Sequence, residues 1–273
     1  MRLGTRGSAL ALAQARMVAD ALGGAELVEI TTSGDRGGGS DKARWVDAIE
    51  AALARGEVDL AVHSAKDVPG ELADGMALAA ALPREDARDA LVGADSLQAL
   101  PRGARVGTAS LRRRAQLLAV REDLEVVELR GNVDTRLRKL AEGQVDALVL
   151  AAAGLHRLGR EEAIGAYLDP TLFVPAPGQG VLAVEGPSVP EAIVDPAADA
   201  ALAAERHVVA AIGATCHTPV GIHHDGTTLR AFVGRPDGSA WVRDEISVPT
   251  HPTDAAALLV ERLEAVGAME LIA

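Results

Sequence analysis

Three things are scarce in this chain: cysteine, lysine and uninterrupted apolar sequence. One cysteine in 273 residues, Cys216, rules out an internal disulfide framework, and a reducing compartment would keep that thiol free. No run approaches the ~18 apolar residues that a membrane span needs, so no membrane partner is expected. The opening Met1-Arg2-Leu3-Gly4-Thr5-Arg6-Gly7-Ser8 has no apolar segment of signal-peptide type, and a cytoplasmic location is the expectation. Surplus positive charge is missing too. A formal charge of −12 disfavours nucleic acid, which needs an excess of cations on at least one face. Seven histidines and one cysteine show no ligand spacing, so no metal is expected.

What is present is an ordinary globular composition, 48% hydrophobic and 24% charged, with length enough for two or three domains. Of the 27 basic residues only Lys42, Lys66 and Lys139 are lysines, which leaves 24 arginines. Compositional bias alone yields such an excess; the sharper reading is that some of these forks grip carboxylates bidentately, as Lys cannot.

The apolar periodicity lays out alternating strands and helices. Residues 2–6 form an extended segment, and Ser8 caps a helix over 9–22 with Leu10, Met17, Val18, Ala21 and Leu22 on one face. A strand over 26–31 leads to a glycine-rich loop at 32–41, then a helix from Trp45 to Ala54. Another strand is expected from Met76 to Leu82, and the polar segment 83–89 reads as a hinge. Strands at 105–107, 126–129 and 146–151, with helices at 111–120 and 133–141, repeat the pattern and imply parallel sheets with right-handed crossovers. After Pro175-Ala176-Pro177-Gly178-Gln179-Gly180, Val181 to Val184 is a lone strand whose place is back in an existing sheet. Residues 187–198 read as a linker. A helix at 200–212, strands at 229–233 and 241–246 about a Pro236-Asp237-Gly238 turn, and a helix at 253–266 make a small α+β unit.

Chemistry is expected where Val58-Asp59-Leu60-Ala61-Val62-His63-Ser64-Ala65-Lys66-Asp67 passes from an apolar strand into ionisable side chains, because ligands bind beyond the carboxyl ends of strands. Asp67 is the foremost candidate. Gly107-Thr108-Ala109-Ser110-Leu111-Arg112-Arg113 places hydroxyls at a strand-to-helix turn suited to anions, with arginines that oppose the helix dipole. Leu129-Arg130-Gly131-Asn132-Val133-Asp134-Thr135-Arg136 repeats the arrangement, although charged runs are also common on plain surfaces. Gly178-Gln179-Gly180 lacks the spacing and lysine of a P-loop. Cys216, in a loop before Pro219, reads by itself either as a small buried hydrophobe or as a reactive thiol beside His217.

Arg6-Gly7-Ser8, HSAKDVP at 63–69, REDARD at 84–89, GTASLRR at 107–113, LRGNVDTR at 129–136, LAAAGLHRLG at 150–159, PAPGQG at 175–180 and Cys216 run in one order over nearly the whole chain. Together they resemble the porphobilinogen deaminase (hydroxymethylbilane synthase) family. The resemblance implies head-to-tail joining of four porphobilinogens into hydroxymethylbilane with loss of ammonia, primed by a dipyrromethane cofactor on a thioether to Cys216. It implies Asp67 as the catalytic group, stabilising the cationic azafulvene and handling protons. It implies Lys66, Ser64, Thr108, Ser110, Arg112, Arg113, Arg130, Gly131 and Asn132 around the cofactor, and Arg6, Ser8, Arg136, Arg157 and Gln179 for substrate. The fold implied is α/β: two lobes like those of type II periplasmic binding proteins plus a small α+β C-terminal domain. Their expected spans are 1–83 with 181–198, 84–180, and 199–273, with hinge motion near 83–87, loop motion near 34–44 and a monomeric state. The rival from another class is a non-catalytic two-lobed binding protein for small anions.

Overall fold

A computed structural model describes residues 1–32, 46–70, 72, 74–215, 217–248 and 251–272. Most of the glycine-rich loop, Trp45 and Cys216 therefore lie outside the described residues.

The first sheet joins β1 (Arg2–Thr5), β2 (Glu26–Glu29), β3 (Leu60–Ser64), β4 (Ala77–Ala81) and β10 (Leu182–Gly186) in the order β2-β1-β3-β10-β4. Helix α1 (Ala9–Ala21) begins at Ser8, whose side chain accepts from the Ala11 amide as the sequence predicts. Its buried face is Gln14, Ala15, Val18 and Ala19, while Met17 is 40% exposed. The buried stripe is rotated from the expected one: Val18 is common to both, while Met17 and Ala21 face solvent. Helix α2 (Asp47–Ala54) covers another face with Ile49, Ala52 and Leu53.

The second sheet has the same plan. Strands β5 (Asp89–Val92), β6 (Arg105–Gly107), β7 (Glu125–Val127), β8 (Ala147–Ala151) and β9 (Ile164–Tyr167) run in the order β7-β6-β8-β5-β9. Helices α3 (Leu111–Val120), α4 (Val133–Ala141) and α5 (Ala152–Arg157) link them. The sheets are mixed, not parallel as expected. In each, four strands run in one direction, and one strand arriving straight from the other lobe pairs antiparallel on both sides. That strand is β10 in the first sheet and β5 in the second. With no helical crossover before it, it enters its sheet running backwards.

These two crossings pack tightly. Gly178 and Gly180 have φ of +70° and +88°, and added Cβ atoms would lie 2.9 Å from the Ala65 Cβ and 2.3 Å from the Glu85 carbonyl oxygen respectively. Only glycine fits such positions.

The third sheet is antiparallel, β11 (Val220–His224), β12 (Thr228–Gly234) and β13 (Trp241–Ser247), with α6 (Pro196–Ala211) and α7 (Pro252–Ala265) against it. Its core is aliphatic: Val208, Ile222, Leu229, Val233, Leu259 and Leu263 are buried. Phe232 packs instead with Ala115 and Val174, which fastens this sheet to the second lobe. Among the described residues no helix is long and apolar enough to cross a membrane.

Candidate active site

Strand β3 is interior to its sheet and buried from Leu60 to His63. At its carboxyl end the chain tightens into a single 3-10 turn, Ala65–Asp67, which projects Lys66 and Asp67 beyond the sheet. A pocket of about 70 Å3 opens here, and Arg6, Ser8, Gln14, His63, Ser64 and Asp67 supply its polar walls. Ser64 is fixed by a 2.9 Å hydrogen bond from the Gln14 side-chain amide.

The second lobe presents cations to this turn. Burial, and then the Arg113 guanidinium, pull the Lys66 ammonium down to about 7, with Asp67 and Asp89 opposing. Burial and Arg113 likewise bring Arg136 down to about 10, again opposed by Asp67. These mutual effects place Lys66, Asp67, Arg113 and Arg136 within reach of one another's charge. Arg157 is brought down to about 10 by burial, with Glu85 opposing; its Nη2 donates to the Gly180 carbonyl at 2.6 Å.

Behind the arginines lies a buried knot. Arg112 grips the fully buried Asp89 with both terminal nitrogens, at 2.7 and 3.1 Å, and also donates to the Val174 carbonyl at 2.8 Å. Arg113 Nε donates to Asp89 Oδ1 at 3.0 Å. Gln179 Nε2 donates to Asp89 at 2.8 Å and to the Ala87 carbonyl at 2.7 Å, while its Oε1 accepts from Arg113 at 3.3 Å. Burial alone would raise the Asp89 carboxyl, but Arg112 and Arg113 hold it well below the carboxylate range.

The expected residues thus divide. Arg6, Ser8, Ser64 and Asp67 line one pocket, and Lys66, Arg113 and Arg136 share its electrostatic surroundings. Gln179, expected with the substrate, is fully buried with both ends of its amide engaged, so it stands behind the site. Arg112 is 4% exposed and committed to Asp89 and Val174. Ser110 caps α3 by accepting from the Arg113 amide, and buried Thr108 accepts from the Ser110 amide at 3.2 Å. Asn132 caps α4, Gly131 has φ of +125°, and exposed Arg130 pairs with Glu128 at 2.6 Å. Cys216 lies outside the described residues.

Three groups escaped the sequence reading. Gln14 and Glu185 sit in or behind the pocket wall. Glu205 on α6 is fully buried and accepts from Arg84, the Gly178 amide and the His224 amide. Burial would raise Glu205, but Arg84 and His223 hold it down to about 2. An acid inside the apolar run Val181-Leu182-Ala183-Val184-Glu185 was the one available signal.

A polyanionic pyrrole cofactor fits this donor set. Arg113, Arg136 and Arg157 are pulled down chiefly by burial, and the buried Nε atoms of Arg136 and Arg157 have no hydrogen-bond partner among the described residues. Acetate and propionate groups would satisfy such forks.

A family model described as porphobilinogen deaminase, dipyromethane cofactor binding domain, matches residues 1–195. A porphobilinogen deaminase of Roseiflexus castenholzii is 45% identical over 100% of this chain and 98% of that protein. One from Roseiflexus sp. is 49% identical over 86% of each, and one from Deinococcus deserti is 42% identical over 99% and 97%.

Proposed function

The chain belongs to the porphobilinogen deaminase family, and from that premise we propose that it is a transferase of tetrapyrrole biosynthesis that condenses four porphobilinogens into hydroxymethylbilane with release of ammonia. The observation that carries this reading is the set of mutually interacting charges at the end of β3, where Asp67 meets Lys66, Arg113 and Arg136. A binding protein for small anions needs the cations, but a carboxylate lining the same pocket would repel its ligand.

In this reading the dipyrromethane, held on Cys216, supplies the primer to which the pyrrole units are added. Asp67 faces the aminomethyl end of the arriving porphobilinogen, where positive charge develops as ammonia leaves, and a fixed carboxylate stabilises that charge. Arg6, Ser8 and Ser64 bind the substrate's carboxylates from the first lobe. Lys66, Arg113, Arg136 and Arg157 hold the chain of earlier units, with Arg130, Asn132 and the Thr108 to Ser110 turn at its margin. Arg112 and Gln179 serve indirectly, by fixing Asp89 and through it Arg113. We assign the units to 1–83 with 181–198, 84–180 and 199–273, and expect a cytoplasmic monomer.

Intact-mass measurement and porphobilinogen consumption test this together. Wild type should carry the mass of two pyrrole units and consume substrate, and Cys216→Ser should carry its sequence mass alone. Asp67→Asn should keep the adduct while turnover falls by roughly 10²- to 10⁴-fold. Normal consumption by Asp67→Asn would sink the assignment of that residue.

A further inference from the structure

One acid in the first lobe has no use in the scheme above. Glu185, on β10, is completely buried, and neither carboxylate oxygen has a hydrogen bond among the described residues. A buried charge in that condition is costly unless a partner answers it. The partner is His63 on the neighbouring β3, where Ala183 pairs with His63 and brings Glu185 diagonally alongside it on the same face. His63 Nε2 stands 3.2 Å from Glu185 Oε2, at ion-pair distance though poorly aligned for a hydrogen bond. His63 is 6% exposed and is one of the residues lining the pocket that holds Asp67.

Among the described residues the surrounding charges are few. Glu50 of α2 is pushed up by burial and by Glu185, with His63 opposing. Arg206 of α6 feels Glu185 as well and donates to the Pro69 and Gly70 carbonyls at 2.8 and 2.7 Å. Arg6 and Asp67 share the pocket wall.

We propose that His63 and Glu185 form an acid–imidazole dyad in which buried Glu185 fixes the tautomer of His63 and leaves His63 Nδ1 facing the pocket as a proton acceptor. This deepens the deaminase reading and rests on it. A single carboxylate cannot both take a proton and stay charged. If Asp67 must remain an anion beside developing positive charge, the proton displaced at each condensation needs another acceptor in the same pocket. As each carbon–carbon bond forms, the attacking pyrrole carbon gives up its hydrogen as a proton to Nδ1. The carbon–nitrogen bond of the arriving unit breaks with its electron pair on nitrogen, and the proton then departs with the ammonia as ammonium. Glu185 acts only through His63 and is a positioning residue; its carboxylate stabilises the imidazolium while the proton is held.

The test uses the full-length, adduct-bearing protein. In 15N NMR at a pH where the ring is neutral, His63 should carry its proton on Nε2 in wild type, and Glu185→Met should lose that preference. With porphobilinogen, His63→Gln and Glu185→Met should lower kcat roughly 10- to 100-fold and leave KM within about twofold, with the adduct mass intact. Added imidazole should restore part of the turnover of His63→Gly and none of that of Asp67→Asn. An Nδ1-protonated His63 in wild type, or an unchanged kcat in either variant, would overturn the dyad. Where a variant does not fold, the wild-type tautomer still decides. The tautomer needs no turnover: a wild type that consumes no porphobilinogen would remove the deaminase reading, while the ring's protonation would still judge the pairing.

Discussion

Asp89 and Glu185 sit on the two strands that cross between the lobes, β5 and β10, and both are completely buried, yet they are treated in opposite ways. Asp89 receives Arg112, Arg113 and Gln179, all within 3.1 Å. Among the described residues Glu185 receives only an ill-aligned histidine at 3.2 Å. The partners differ in one decisive property. A guanidinium cannot shed its charge, so the Asp89 knot is ionic at every working pH. An imidazole can, so the Glu185 pair adjusts its charge to its surroundings. The first arrangement gives rigidity and the second gives a place to keep a proton.

That contrast breaks first at Asp89. Asp89→Ala would strand two buried guanidinium groups, and urea unfolding should show a loss of about 3–5 kcal/mol. Since the Asp89 carboxyl lies below its unfolded range, the stability it contributes is present above about pH 4. It is lost only as pH falls through the lower folded value.

Next in size is Lys66. Burial and Arg113 bring it from 10.5 down to about 7, so between those values the unfolded chain binds more protons than the folded one. Its contribution therefore rises with pH across that window and is lost as pH falls through about 7. Urea midpoints in the Cys216→Ser background should climb over that range, and Lys66→Met should flatten the climb.

Glu185→Met should change stability by less than about 1.5 kcal/mol, since an imidazole, unlike a guanidinium, can stand neutral without a counter-charge. A loss as large as that of Asp89→Ala would erase the distinction between the two acids. The smallest effect is expected at Arg130, whose exposed pair with Glu128 should be worth less than about 0.5 kcal/mol. Arg130→Ala should lower the melting temperature of adduct-bearing protein alone, if that arginine touches the bound pyrroles.

The reach of sequence reasoning follows the same physics. The end of β3, the Ser8 cap and the lone strand after Gly180 were legible, because each depends on residues adjacent in the chain. Strands β5, β9 and β11 were not. Asp89 opens β5 directly after a polar run, so the strand passed for linker until Arg112 and Arg113 accounted for its charge. Glu205 looked like any polar residue of a helix, since its partners Arg84, Gly178 and His224 come from three distant segments. Gln179 was read as a ligand group for the converse reason: its motif was visible and its burial was not. Long-range satisfaction of buried charge is the information a local pattern lacks.

The position of β10 also bears on how the protein is made. Residues 182–186 lie between β3 and β4, so β4 has no other neighbour in its sheet and β3 is an edge strand until they arrive. Every strand of the second sheet, from Asp89 to Tyr167, leaves the ribosome before they do. The second lobe can therefore close while the first waits. A chain halted short of Leu182 carries Asp67 just beyond a strand with one bare edge, open to pairing with another copy. The turn that carries Asp67 is encoded early but assembled late, and prematurely ended chains would present its strand as an aggregation site.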